Sequence, residues 1–64
     1  MYDLVGIDGN AYSILGYTKR AMKQEGFTQA DIDTMYKDAT SGTYNHLIQI
    51  CLDWIDKCNA KYED

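Results

Sequence analysis

The segment from Tyr44 to Ala60 holds neither glycine nor proline, and it constrains the rest of the chain more than any other stretch. Its apolar positions are Leu47, Ile48, Ile50, Cys51, Leu52, Trp54, Ile55 and Cys58. Wound at about 100° per residue, they cover well over the ~100° stripe that a helix in a small bundle buries. Leu47, Ile48, Cys51, Ile55 and Cys58 form the centre, Ile50 and Trp54 one flank, Leu52 the other. Asn45, Gln49, Asp53 and Asp56 make the polar remainder. A helix this apolar must be covered from more than one side. Either the rest of the chain surrounds it, or Ile50 and Trp54 reach the surface as anchors for a partner.

Two further helices are predicted to do the covering. The first runs from about Ala11 to Glu25, capped by Asn10 or Asp8, with Ala11, Ile14, Leu15, Thr18, Ala21 and Met22 along one stripe. Lys19, Arg20 and Lys23 collect near its C-terminal end, where cations suit the helix dipole, and Gly26 stops it. The second runs over 29–39. Thr28 and Asp31 form an acidic capping box, Phe27 and Ile32 a hydrophobic staple, and Asp33 has Lys37 one turn on in the favourable order. Its buried stripe is Ile32, Met35, Tyr36 and Ala39. Residues 1–9, MYDLVGIDG, read as an extended arm ending in a turn. Leu4, Val5 and Ile7 are too apolar to be left in water, so the arm lies across the helices or pairs with a second copy. The fold class is therefore all-α: a three-helix bundle in one domain, with helices over about 11–25, 29–39 and 44–60 and a frayed tail from Lys61 to Asp64.

With 64 residues, such a chain buries only about 60% of its unfolded surface and gains from any staple. The sequence offers none by chemistry. Cys51 and Cys58 sit roughly 10 Å apart along one helix, too far for a disulfide, and read as small apolar side chains of a protein from a reducing compartment. Neither a Cys-x-x-Cys nor a His-x-x-x-His pair occurs, and His46 with the two cysteines matches no common zinc spacing. Around Asp8 the calcium-loop pattern fails, because Leu4 and Gly6 stand where acids belong and Leu15 stands at the twelfth position. No metal or cofactor is expected. No apolar run approaches a membrane span and no signal peptide opens the chain, so a cytoplasmic location in a bacterial cell is expected. The net charge of −4 disfavours phosphate binding and favours a basic protein partner.

Between the second and third helices lies KDATSGTYNHLIQ, Lys37 to Gln49, with Ser41, Thr43 and the one histidine, His46. A hydroxyl near an imidazole suggests nucleophilic catalysis, which also needs an orienting acid and a cleft. The same residues are what a tight helix–helix turn needs: Gly42 to end one helix, Ser41 or Thr43 to cap the next. The turn is the preferred reading, with Tyr44 and His46 at an exposed corner where a partner could touch them. A helix–turn–helix reader of DNA would use Tyr44, Asn45, His46 and Gln49. It is disfavoured, because no basic residue precedes Lys57 on that helix.

Other features point to surfaces. Gly16, mid-helix among Lys19, Arg20 and Lys23, suggests close approach by the arm or by a partner backbone. Six tyrosines suit small bundles and interfaces alike. Asp31, Asp33, Asp38, Asp53, Asp56, Glu63 and Asp64 fall from residue 31 onward, and the acidic faces of the second and third helices could form one surface that imitates phosphate, or solvated faces with local pairs.

The pair of motifs VGIDGNAYSILGY and DATSGTYNHL resembles a group of small proteins of bacteria, phages and mobile elements, over most of the chain from Val5 to Asp56. The resemblance implies a setting and carries no catalytic residue. Small acidic proteins of mobile elements include inhibitors that bind a host defence machine by surface contact, as anti-CRISPR proteins do; this is an analogy of size and charge. The expected function is a non-catalytic protein-binding module, an inhibitor of a nucleic-acid-handling defence complex. It would act through Tyr44, His46, Ile50, Asp53, Trp54, Asp56, Asp31 and Asp33. Direct nucleic-acid and membrane binding are not expected. The competitors are a self-assembling subunit, including a homodimer, a small enzyme using Ser41, Thr43 and His46, and the DNA reader.

Overall fold

Asn10 opens the first helix: its side chain accepts the Tyr12 N–H at 2.8 Å, satisfying one of the donors that a helix start leaves unpaired. The computed structural model describes residues 1–63 and holds three helices, α1 (Ala11–Gln24), α2 (Gln29–Ala39) and α3 (Tyr44–Glu63), with no strand among the described residues. The chain is an all-α three-helix bundle. α1 stops one residue earlier than expected, because Glu25 is its C-cap. Gly26 then turns left-handed at φ +84°. The Phe27 N–H donates to Met22 O and the Gly26 N–H to Lys23 O, which is a Schellman ending. α2 starts with both halves of the Thr28–Asp31 capping box in place.

α3 packs against both α1 and α2, while α1 and α2 touch each other little. The broad apolar arc read from the sequence is thus the surface of a central helix, shared between two neighbours. The core is Ile14, Leu15, Ala21 and Met22 from α1, Ile32, Met35 and Ala39 from α2, and Leu47, Cys51, Ile55 and Cys58 from α3. Thr18 is buried among them, its hydroxyl donating to Ile14 O at 2.9 Å. No buried side-chain nitrogen or oxygen among the described residues lacks a partner. Both cysteines are free and buried, and burial pushes both thiols up, as expected of core residues rather than nucleophiles.

Two expectations are corrected. The tail is helical through Lys61–Glu63, not frayed, while Asp64 lies outside the described residues. Tertiary partners hold it: the Lys61 ammonium lies 4.4 Å from the Phe27 ring centroid, and the Tyr62 ring meets Tyr2 edge-on at 5.9 Å. The arm makes no close approach at Gly16. A Cβ there would meet only the Arg20 guanidinium, at 3.7 Å, an ordinary contact. Gly16→Ala is therefore expected to stabilise the chain by about 0.5–1 kcal/mol, because alanine loses less backbone freedom in a helix. Urea denaturation followed at 222 nm would read this as a higher midpoint.

The arm lies across the helices, as one of its two expected placements had it, but its turn comes early. The Ile7 N–H donates to Leu4 O at 3.1 Å, and Gly6, at φ +88°, takes the left-handed position of the turn. Leu4 and Ile7 pack against the core, while Val5 at the tip is 85% exposed.

Candidate functional site

Ser41, Thr43 and His46 meet at the α2–α3 corner, all exposed. Thr43 caps α3 through its hydroxyl, which accepts the His46 N–H at 3.2 Å. Ser41 bonds backwards instead, its hydroxyl donating to Asp38 O at 2.7 Å. His46 Nε2 lies 2.9 Å from the same oxygen and 3.5 Å from Ser41 Oγ. A carbonyl oxygen only accepts, so Nε2 carries a proton and points it at Asp38. A general base for Ser41 would need that nitrogen bare. Both groups here close the last turn of α2, and Asp38 takes part through its main chain rather than as an orienting acid. Gly42 does not end α2 in a left-handed conformation. It makes room: a Cβ there would lie 3.2 Å from two atoms of the His46 ring. His46→Ala is expected to cost about 0.5–1 kcal/mol, the worth of one partly solvated hydrogen bond, read as a shift in the urea midpoint.

The remaining predicted contact residues are divided among several surfaces. Ile50 and Trp54 are half-buried and pack against the core. Trp54 meets Phe27 edge-on at 5.6 Å, and the Lys57 ammonium covers it 4.1 Å from the ring centroid. Asp31 is spent on the Thr28 N–H. Asp33 is exposed and accepts from Gln29 Nε2 at 2.9 Å. Two residues apart, Asp31 and Asp33 stand about 160° apart around α2 and share no face. Asp53 and Asp56 do share one. They are exposed, roughly 60° apart around α3, on the side opposite the buried positions Leu47, Cys51, Ile55 and Cys58. Tyr44 is 48% exposed, and its hydroxyl donates to Gly9 O, tying the end of the arm to the start of α3.

A second constellation has no trace in the helical periodicity. The Asn59 carboxamide grips the main chain of Tyr2 twice: Oδ1 accepts the Tyr2 N–H at 2.7 Å, and Nδ2 donates to Tyr2 O at 2.9 Å. The Tyr2 hydroxyl donates to the Glu25 carboxylate, and the Asp3 N–H donates to the Tyr17 hydroxyl at 2.9 Å. The accepting Glu25 carboxylate, then loss of water around the phenol, then the charge of Glu25 push Tyr2 up to about 12 from 10.0. Asn59 and Tyr2 are 57 residues apart, so only the tertiary fold pairs them. The one available hint was an asparagine beside Cys58, at the edge of the apolar arc.

The described residues form no pocket, no cluster suited to a metal ion and no helix long and apolar enough to cross a membrane. No family model, curated protein or solved structure matches the chain.

Proposed function

We propose that the chain is a non-catalytic protein-binding module that meets a basic surface of its partner through the outward face of α3. The observation that carries this reading is the pairing of Asp53 and Asp56, exposed on one face of the central helix and, among the described residues, engaged in no side-chain hydrogen bond. The helix is rigid because its other side is the core, so the two carboxylates are presented with little ordering cost. The net charge of −4 adds long-range attraction for a basic partner. Ser41 and His46 favour the module over the enzyme, since their polar atoms converge on Asp38 O. The absence of a basic residue on α3 before Lys57 weighs against a DNA-reading helix. Within this class, the motif resemblance and the acidity favour a phage or mobile-element inhibitor of a bacterial defence complex that handles nucleic acid.

The test is capture of partners from bacterial lysate by the tagged chain and by Asp53→Lys/Asp56→Lys, at low and moderate salt, read by mass spectrometry. The expected result is a basic, nucleic-acid-binding protein whose retention falls with salt and is lost with the double reversal, while the helical circular dichroism is unchanged. Equal retention by the reversed variant, or no retention at low salt, would sink the reading. Self-assembly is the second reading, favoured by the exposed side chains of Val5, Tyr12 and Leu52. Its signature is a melting temperature that rises with protein concentration.

A further inference from the structure

We propose that the outward face of α1 is a basic docking surface for the acidic face of α3 on a second copy of this chain, so that copies associate head to tail. This rests on the reading of Asp53 and Asp56 as a pair that docks on cations, and it gives those cations an owner. Two ridges carry it. On α1, Tyr12, Gly16, Lys19 and Lys23 follow one another at intervals of four, three and four residues. On α3, Gln49, Asp53, Asp56 and Ala60 follow at the same intervals, and all four are exposed. At about 100° per residue, each set stays within roughly 60° around its helix and climbs by the same steps. Laid antiparallel, Lys19 stands opposite Asp53, and Gly16 opposite Asp56 with Arg20 beside it. Tyr12 then stands opposite the small Ala60, and Lys23 opposite Gln49.

The fold itself gives the α1 ridge little to do. Tyr12 is 79% exposed, and Arg20 and Lys23 are exposed. Ala11–Gln24 contains no acid, so Lys19, Arg20 and Lys23 have no counter-charge on their own helix. The next carboxylate along the chain, Glu25, accepts from the Tyr2 hydroxyl. Glycine weakens a helix, yet a Cβ at Gly16 would meet only the Arg20 guanidinium, so no neighbour within the chain requires the gap. A second helix does: the smaller the side chains at a crossing, the closer two helix axes come. A second copy is the occupant because it carries the oppositely charged ridge at the matching spacing. Contacts of α1 with α1, or of α3 with α3, would set like charges face to face. The two faces differ, so each contact leaves one face of either kind unused and association continues head to tail. Surface ion pairs are individually weak, and the net charge of −4 opposes the approach of whole copies. A Kd on the order of 100 µM is expected.

Sedimentation equilibrium on the purified chain tests this at about 0.1 M salt, where a Debye length of ~10 Å screens repulsion between whole copies more than pairs in contact. The weight-average mass should rise above the 7.3 kDa of one chain as concentration passes from about tenfold below that Kd to tenfold above it. Lys19→Glu/Lys23→Glu and Asp53→Lys/Asp56→Lys should each stay monomeric alone and associate when mixed, because every face then meets its opposite. Neither variant has a net charge opposite in sign to the other, so bulk attraction does not produce that result. Gly16→Gln should keep the helical circular dichroism and weaken association at least about 10-fold by filling the gap. A monomer at every concentration would overturn the proposal. So would association that survives either reversal, a mixture that stays monomeric while both variants are helical, or association indifferent to Gly16→Gln. A chain that captures a basic host protein yet never associates with itself would overturn this inference alone and leave the reading of Asp53 and Asp56 standing. Association of the purified chain with no capture from lysate would support it and remove the host partner.

Discussion

Met35→Ala is expected to remove about 2–5 kcal/mol of folding stability, the range for deleting a buried long apolar side chain and leaving a cavity. Met35 has no exposed surface and stands at the centre of the buried stripe of α2. At roughly 0.05–0.15 kcal/mol per residue, a chain of this size holds about 3–10 kcal/mol in all. The loss is thus a large share of the total, and the expected reading is a much lower urea midpoint or a chain already partly unfolded in buffer. Met35→Leu, which nearly conserves volume, should cost less than about 1.5 kcal/mol. If the alanine variant melted like the parent chain, α2 would not be packed as described.

Phe27→Ala is the second large effect, at about 2–3 kcal/mol, below the 3–5 kcal/mol of a fully buried phenylalanine because the ring is half-exposed. One residue here joins all three helices. Its N–H closes the end of α1, and it directly precedes Thr28, the N-cap of α2. Its ring meets Trp54 of α3 edge-on, under the Lys61 ammonium. Phe27→Leu should recover the apolar part and lose the edge-on and cation contacts, worth about 0.5–1.5 and 0.5–1 kcal/mol. Trp54 is the chain's one tryptophan, so its fluorescence reports the change directly. An unchanged midpoint and an unshifted Trp54 emission would contradict the packing.

Helix existence and type were legible because each helix carries its own local signals. Asn10, the Thr28–Asp31 box and Gly26 act within four residues, and the stripes repeat at the helical period whatever lies opposite them. The Ser41–His46 corner was legible for the same reason, since turn chemistry is local. The candidate site was less so. Periodicity left Asp31 and Asp33 either on one acidic surface with Asp53 and Asp56 or on separate solvated faces; the helix sends them to opposite flanks and the capping box uses Asp31. Rotation about a helix axis follows from residue spacing alone, so that separation is already encoded in the sequence.

The sequence by itself determined the three helices, the all-α class, the acidity and most of the buried stripes, because propensity, capping and periodicity are properties of short segments. Tyr36, expected in the stripe of α2, is exposed. Only the tertiary structure decided that α3 is central, that its end stays helical through Lys61–Glu63, that Trp54 is largely spent on the core, and that Asn59 holds Tyr2. Each of these depends on groups distant in sequence meeting in space. Such pairings follow from how the helices cross, and no local pattern of residues encodes the crossing.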